Sequence, residues 1–426
     1  MESLQDKIQS AEHIQFSGEL DADLALLNQQ LKYEHDFISG QEKVAISDLT
    51  SWFNLRRAFL RLHSRDLYLR ATAEGKHALT GQSLLAQIAT FAPQFVCFYA
   101  CQRSELTEKW QRGLQDQSIG LLLSFFFTDE ACGEHLIRSY LRCQASSVAY
   151  LREFAQTGVL NLPKVTVEKH GKMGHITFNN PQCLNAEDNQ LVADLNIAVD
   201  LVYLSEDIEV GVLRGGVTQH AKYQGKRIFS AGVNLKQLHK SDISFVDFMI
   251  GRELGYVNKM IHGVVSESGE KIVKPWISVV DTFAIGGGMQ LLLASDYVIA
   301  EEGSYASLPA GNEGIIPGLA NMRLARKCNF RIAKEVILLG RKLWAGESDS
   351  QGVFDQSVRS EDLQVKLDEM ARLLSTPAVR ENKRMLVTGS EPMDELRRYL
   401  AEFCLVQGER IYSKDVANKV SKFTLS

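Results

Sequence analysis

The stretch DTFAIGGGMQLLLASDY, residues 281–297, decides the fold. A strand-like run, Phe283-Ala284-Ile285, meets three glycines, and a helical pattern starts behind them. Glycine at such a corner admits backbone conformations closed to other residues and leaves N–H groups free to face a ligand. Gln290 stands two residues past the last glycine, a neutral amide where chemistry on a bound ligand ordinarily calls for a charge. A second corner is RIFSAGVNLKQL, residues 227–238, in which a short apolar approach reaches Ser230-Ala231-Gly232 and a helix is expected to follow. Either corner alone fits plain packing. Two N–H groups aimed at one point are what an enolate or tetrahedral oxyanion needs.

Around these corners the sequence alternates strands and helices. KVTVEKH and GHITFN flank a Gly-Lys turn and predict a hairpin. EDNQLVADLNIAVDLVYLSED reads as a helix, IEVGVLRG as a strand, PWISVVDTFAI as one strand and YVIAEE as another. This order predicts an α/β core with a largely parallel sheet over residues 161–345. Residues 346–426 return to helical patterning, and no internal repeat or low-complexity tract interrupts the chain.

Residues 1–160 have a different grammar. DADLALLNQQLKYEHDFI and SDLTSWFNLRRAFLRLHSRDLYLRA carry apolar residues at helical spacing, the second with Ser47 or Thr50 as caps. TDEACGEHLIRSYLRCQASSVAYLREFAQTG reads as one long helix from Thr128 as N-cap to Gly158 as stop. His13, His35, His63, His77 and His135 are far apart and read as surface or satisfied core residues. The expectation is a separate all-helical accessory or oligomerisation domain without a reacting group.

Composition narrows the function classes. The 426 residues are 45% hydrophobic, enough for two cores. A net charge of -5 offers no broad basic surface to nucleic acid or anionic membrane. The seven cysteines, Cys97, Cys101, Cys132, Cys143, Cys183, Cys328 and Cys404, are scattered and odd in number. Cys97 and Cys101 lie one helical turn apart, but no further ligand completes a metal site, and the pattern fits a reducing compartment. MESLQDKIQSAEH is polar and mixed in charge, unlike a leader, and IGLLLSFFF at 119–127 is too short to span a bilayer. A soluble cytoplasmic protein is expected.

Four segments, in order, resemble the crotonase (enoyl-CoA hydratase/isomerase) superfamily. NNPQCLNAEDNQLVADLNIAV is similar to its N-x-P-x-x-L-N-A segment, FSAGVNL to F-[CS]-A-G-x-[DN]-[LI], AIGGGMQLLLASDYVIA to A-x-G-G-G-x-E-L-x-x-x-x-D, and IIPGLANMRLAR to I-P-G-x-G-x-x-R-L. The resemblance implies a crotonase-type α/β core, an acyl-CoA thioester as substrate, and an oxyanion hole from the N–H groups of Val233 and Gly287 with Gly232 and Gly286 beside them. It also implies trimers or dimers of trimers.

What departs from the pattern bears on the reaction. Hydratases of the superfamily carry a glutamate after the triple glycine and another in a P-E pair before I-P-G. Gln290 and Ala310 stand at those places, with Glu313 three residues out of register. Neither an amide nor an alanine handles protons as a carboxylate does, so hydration of an enoyl-CoA is not expected. With its helical N-terminal part, the chain most resembles the superfamily's cofactor-independent arylacetyl-CoA dioxygenases. That likeness implies a dihydroxyphenylacetyl-CoA substrate, O2 as co-substrate, and neither metal nor organic cofactor. No dinucleotide fingerprint or His/carboxylate triad is present in the sequence.

By the same resemblance, Glu187 in LNAEDNQ contacts a ring hydroxyl, Arg252 in FMIGRELGYVNK is a second polar contact at the ring end, and Gln290 is a donor near the α-carbon. Glu187 reads equally as an acid opposing a helix dipole, and Arg252 as part of a solvated helix face. The loop GGVTQHAKYQGKR, 215–227, with His220, Lys222, Lys226 and Arg227, is either solvated or a contact for CoA phosphates, and Lys236 is a further candidate. A hydrolase, decarboxylase or isomerase with its acid or base elsewhere, or a CoA-binding protein without activity, remain the alternatives.

Overall fold

The computed structural model describes residues 14–39, 46–96, 105–266 and 268–421. His13, Cys97, Cys101 and the segment MESLQDKIQSAEH lie outside the described residues. The chain divides into two compact units, residues 1–139 with 394–417, and residues 140–393 with 418–426. Among the described residues no helix is long and apolar enough to cross a membrane.

The first unit is helical. Its long helices are Leu20–Ser39, Ile46–Ala71 and Glu105–Thr128, with Gly81–Ala89 and Glu130–Tyr140 shorter. Ser47 and Thr50, expected as caps, fall inside the second of these. His63 is buried and paired with Asp23 at 2.7 Å, while His135 meets the Tyr68 hydroxyl at 2.8 Å, so both are satisfied within the fold. The helix Met393–Arg410 belongs to this unit for a local reason. Arg397 donates to the carbonyls of Phe127 and Thr128 at 2.6 and 2.8 Å, satisfying the C-terminal carbonyls of Glu105–Thr128. A Cβ at Gly133 would lie 2.7 Å from the Arg397 side chain.

The single helix expected from Thr128 to Gly158 is two. Thr128 ends the preceding helix, and Asp129 accepts the Cys132 N–H at 2.9 Å as the cap. The second piece, Ala145–Thr157, starts where Asp200 accepts the Gln144 N–H and the Ser147 hydroxyl, each at 2.8 Å. Lys259 neutralises Asp200 at 2.6 Å. That anchor puts the helix in the second unit, so the units part near residue 140 rather than 160. Gly158 does stop it, in the left-handed conformation at φ 69°.

Among the described residues the second unit holds three sheets. In chain order the strands are β1 Val159–Asn161, β2 Val165–His170, β3 Met173–Phe178, β4 Val210–Gly215, β5 Val264–Val265, β6 Lys271–Ile272, β7 Trp276–Val280, β8 Phe283–Ile285, β9 Tyr297–Glu301, β10 Tyr305–Ser307, β11 Lys342–Trp344 and β12 Gln356–Val358. The main sheet runs β1-β2-β3-β4-β7-β9-β12, antiparallel over its first three strands and parallel from β3 onward. Val210, Val212, Ile277, Val279 and Ile299 form one buried face of β4, β7 and β9 under Leu363, Leu367 and Ala371 of the helix Leu363–Leu374.

The run PWISVVDTFAI is two strands, not one. β7 stays in the main sheet, and after Asp281-Thr282 the chain enters β8, which pairs with β10 in the order β11-β10-β8. Arg214 of β4 grips the Asp281 carboxylate with Nε at 3.0 Å and with Nη2. The bend carries β8 out of the main sheet and aims its end, the triple glycine, at the second corner.

Candidate active site

The triple glycine has three separate causes. Gly286 sits at φ 54°, in the left-handed region, and caps the helix Gly287–Ala294. At Gly287 a Cβ would lie 2.2 Å from Glu187 Oε1. At Gly288 it would lie 2.9 Å from Ser230 Cβ and 3.0 Å from the Ser230 carbonyl oxygen. The first glycine is required by its backbone, the other two by neighbours that approach too closely for any side chain.

The second corner lies alongside. Ile285 N donates to Ser230 O at 2.9 Å, and Ser230 Oγ accepts the Gly232 N–H at 3.0 Å. Gly232 is at φ 86°, and a Cβ there would lie 3.4 Å from the Gly287 nitrogen. The expected helix is the short turn Leu235–His239, capped by Asn234. Among the described residues neither the Val233 N–H nor the Gly287 N–H has an acceptor in the protein. Both residues, with Gly286, are partly open to solvent.

Glu187 is brought to this place by its own backbone. Leu184 and Asn185 turn the chain at φ 54° and 53°, and Asn185 locks the turn by accepting the Asn180 N–H at 2.8 Å and donating to Ile228 O at 2.6 Å. Glu187 N then donates to Gly232 O at 2.7 Å, and Asn234 N to Glu187 O at 2.8 Å. The acid that caps the helix Asn189–Leu204 is Asp188, which accepts the Leu191 N–H at 3.0 Å. The Glu187 side chain is buried and turned toward Arg252.

Arg252 is not on a solvated face. A π-helical turn, Phe245–Ile250, delivers it to the short helix Gly251–Leu254, where it is 3% exposed. Nε donates to Glu187 Oε2 at 2.5 Å, and Nη2 to Glu187 Oε1 at 3.2 Å and to Gly287 O at 2.8 Å. Nη1 donates to Gln290 Oε1 at 2.5 Å and Glu253 Oε1 at 2.9 Å. Burial opposes the charge of Arg252, but Glu187, then Tyr256 and Glu253, hold its pKa above the ordinary value. Because a guanidinium only donates, the Gln290 atom facing it is the oxygen, and the NH2 group is left as a donor.

Glu253 and Tyr256 complete the cluster, and neither was foreseen. Tyr256 donates to Glu187 Oε2 at 2.9 Å. Burial first, and then the Glu187 carboxylate, push its hydroxyl pKa well above the usual value, so it keeps its proton. The only sequence signal was an acid next to Arg252 and a tyrosine four residues after it.

Ala310 is buried, and no carboxylate stands at that position. Glu313, at the end of the short helix Ala310–Glu313, is half-buried, and burial pushes its pKa up to about 7. In the loop 215–227, His220, Lys222 and Lys226 are exposed, Lys222 lies over the Tyr223 ring, and Arg227 donates to Gly215 O at 3.1 Å. Lys236 is exposed. Among the described residues no group of three His, Cys, Asp or Glu side chains is arranged to hold a metal ion.

Comparison with known proteins agrees with this architecture. The family described as enoyl-CoA hydratase/isomerase matches residues 168–407. A (3,5-dihydroxyphenyl)acetyl-CoA 1,2-dioxygenase of Amycolatopsis orientalis is 40% identical over 390 residues, covering 90% of this chain and 89% of that protein. A probable enoyl-CoA hydratase of Rhizobium meliloti is 31% identical over 198 residues, 46% of this chain and 69% of its own. Among solved structures, an enoyl-CoA hydratase/isomerase from Mycobacterium paratuberculosis superimposes with a TM-score of 0.52 at 21% identity, over 62% of this chain and 100% of its own. That likeness concerns the fold. With an α/β core of this kind and a largely helical N-terminal region, the chain belongs to the enoyl-CoA hydratase/isomerase family.

Proposed function

We propose that the protein is a cofactor-independent dioxygenase that converts 3,5-dihydroxyphenylacetyl-CoA and O2 to 3,5-dihydroxyphenylglyoxylate and free CoA. The observation that carries this reading is the pair of acceptor-free N–H groups, Val233 and Gly287, beside a Gln290 whose amide oxygen is held by Arg252. A site of this kind stabilises a thioester enolate and carries no carboxylate at 290 or 310, the two positions at which hydratases of the family handle water. The similarity to the Amycolatopsis orientalis dioxygenase supports the choice of substrate.

In the proposed reaction, loss of an α-proton gives an enolate whose oxygen lies between the Val233 and Gly287 amides, with Gly232 and Gly286 shaping the pocket. Glu187 and Gln290 face the ring and the α-carbon. The electron-rich ring spreads the carbanion, which passes one electron to O2, and the two radicals combine to an α-peroxide. Peroxide attack on the thioester carbonyl expels the CoA thiolate. Cleavage of the O–O bond, with loss of the remaining α-hydrogen as a proton, leaves one oxygen on the ketone and one on the carboxylate. Neither metal nor organic cofactor enters these steps. We place the protein in the cytoplasm as a homo-oligomer, a trimer or hexamer. Support for assembly comes from Phe330, Leu338, Leu339, Met385 and Leu386, apolar side chains from 61% to 74% exposed.

The test uses chelator-treated, flavin-free protein with 3,5-dihydroxyphenylacetyl-CoA. One O2 should disappear for each CoA released, and 18O2 should label both new oxygens of the arylglyoxylate. CoA release without oxygen at the aerobic rate refutes the dioxygenase in favour of a hydrolase. Loss of activity on metal removal refutes the cofactor-free mechanism.

A further inference from the structure

A guanidinium carries five N–H donors, and every one on Arg252 is engaged inside the protein. Two go to Glu187, one to Gly287 O, one to Gln290 Oε1 and one to Glu253 Oε1. None remains to reach a ligand. Glu253 is committed in the same way. Its Oε1 accepts from Arg252, and its Oε2 accepts the Leu319 N–H at 3.0 Å. Gly318, at φ 48°, makes room for it, since a Cβ there would lie 2.2 Å from the Glu253 carboxyl carbon. A carboxylate 3% exposed is thus enclosed between the guanidinium and the loop 315–319.

We propose that Glu253 is a positioning residue that acts through Arg252 to set how ring hydroxyls are recognised. By holding one Nη1 hydrogen it fixes the guanidinium plane. The plane in turn fixes the Glu187 carboxylate as an acceptor and turns the Gln290 NH2 outward as a donor. The pocket then suits a hydroxylated ring that donates to Glu187, with the Gln290 NH2 held toward the α-carbon. This also explains the neutral amide at 290. Arg252 already faces two buried carboxylates, Glu187 and Glu253, and a third in its reach would be an uncompensated buried charge.

The inference rests on the arylacetyl-thioester reading, so its test separates the two. Anaerobic affinities of the full-length protein for 3,5-dihydroxyphenylacetyl-CoA and for phenylacetyl-CoA are measured for the unmodified protein, Glu253→Gln, Arg252→Lys and the double variant. The unmodified protein should prefer the dihydroxy thioester. Glu253→Gln should narrow that preference roughly tenfold, the scale of one hydrogen bond to a charged group, with phenylacetyl-CoA affinity within about twofold of the start. Because Glu253 acts through Arg252, the double variant should narrow it no further than Arg252→Lys alone. If Glu253→Gln fails to fold, Glu253→Asp is read in its place, one methylene too short to span both partners.

An unchanged preference overturns the proposal. Equal weakening of both thioesters together with a lower Tm makes the role structural only and overturns it. Additive effects in the double variant also overturn it, since Glu253 then works independently of Arg252. An unmodified protein without any preference overturns it as well. Preference intact but no O2 uptake overturns the dioxygenase reading alone.

Discussion

Replacing Gly287 by alanine and by proline separates two roles that meet at one residue. The alanine keeps the N–H but places a Cβ 2.2 Å from Glu187 Oε1 and 3.0 Å from Arg252 Nη2. The carboxylate must retreat by about 1 Å to reach ordinary contact. The bond that yields is the longest in the cluster, Arg252 Nη2 to Glu187 Oε1 at 3.2 Å. A buried hydrogen bond to a charged group contributes roughly 1.5–3 kcal/mol, so kcat/KM should fall by about tenfold to about a hundredfold. Proline brings the same crowding and also deletes the donor. Residue 287 is the first of its helix, a position that tolerates proline, so the ratio between the two variants reports the loss of the N–H together with the ring carbon that takes its place. That ratio should correspond to about 3 kcal/mol, or roughly a further hundredfold. The assay is O2 uptake with thiol release across substrate concentration, with urea unfolding alongside to exclude misfolding. Proline no worse than alanine would remove the Gly287 N–H from the oxyanion hole. Alanine with unchanged kinetics would show that Glu187 does not read the substrate.

Two further outcomes are expected. Burial raises the Glu313 carboxyl from an ordinary 4.5 to about 7, so the folded chain binds that proton more tightly than the unfolded chain. The resulting stability is fully present below about pH 4.5 and is lost as pH rises to about 7, on the order of 3 kcal/mol at most. Glu313→Gln should remove that part of the urea-midpoint profile, and superimposable profiles would show that Glu313 does not feel its burial. Crotonyl-CoA should not be hydrated, because Gln290 and Ala310 supply no carboxylate pair. Appreciable loss of enoyl-thioester absorbance with the unmodified protein would reverse the interpretation of both positions.

The corners were legible in the sequence because their glycines answer local demands. Gly286 and Gly232 take left-handed backbone angles, and a residue that must do so is usually glycine. Gln290 drew notice by its offset from the triple glycine and Glu187 through the resemblance of LNAEDNQ to the family segment, and the fold brings both side chains to Arg252. The break between β7 and β8 was not legible. Only Asp281 and Thr282 separate the apolar runs Trp276–Val280 and Phe283–Ile285, too short a break to announce a change of sheet, and their partners, β4 and β9 for one and β10 for the other, divide them. The gap between Glu130–Tyr140 and Ala145–Thr157 has no glycine or proline to announce it, and its anchor, Asp200, lies more than fifty residues away. Glu253 was silent for the same reason. Its meaning depends on Leu319, sixty-six residues along the chain.

The return of residues 394–417 to the first unit makes that unit discontinuous in sequence. On a growing chain, Phe127, Thr128 and the space beside Gly133 emerge early, yet Arg397, which occupies all three, is made about 270 residues after Phe127. The N-terminal segment therefore waits, unfinished, through synthesis of the whole intervening α/β unit. The usual order, in which the first segment to emerge is the first to mature, is inverted. The entropy of closing so long a connection grows only slowly with its length, so the delay arises from the order of synthesis far more than from the cost of closure. Until that stretch is made, the N-terminal segment is a helical fragment with an open seam, and any stop before residue 394 would leave it unsealed.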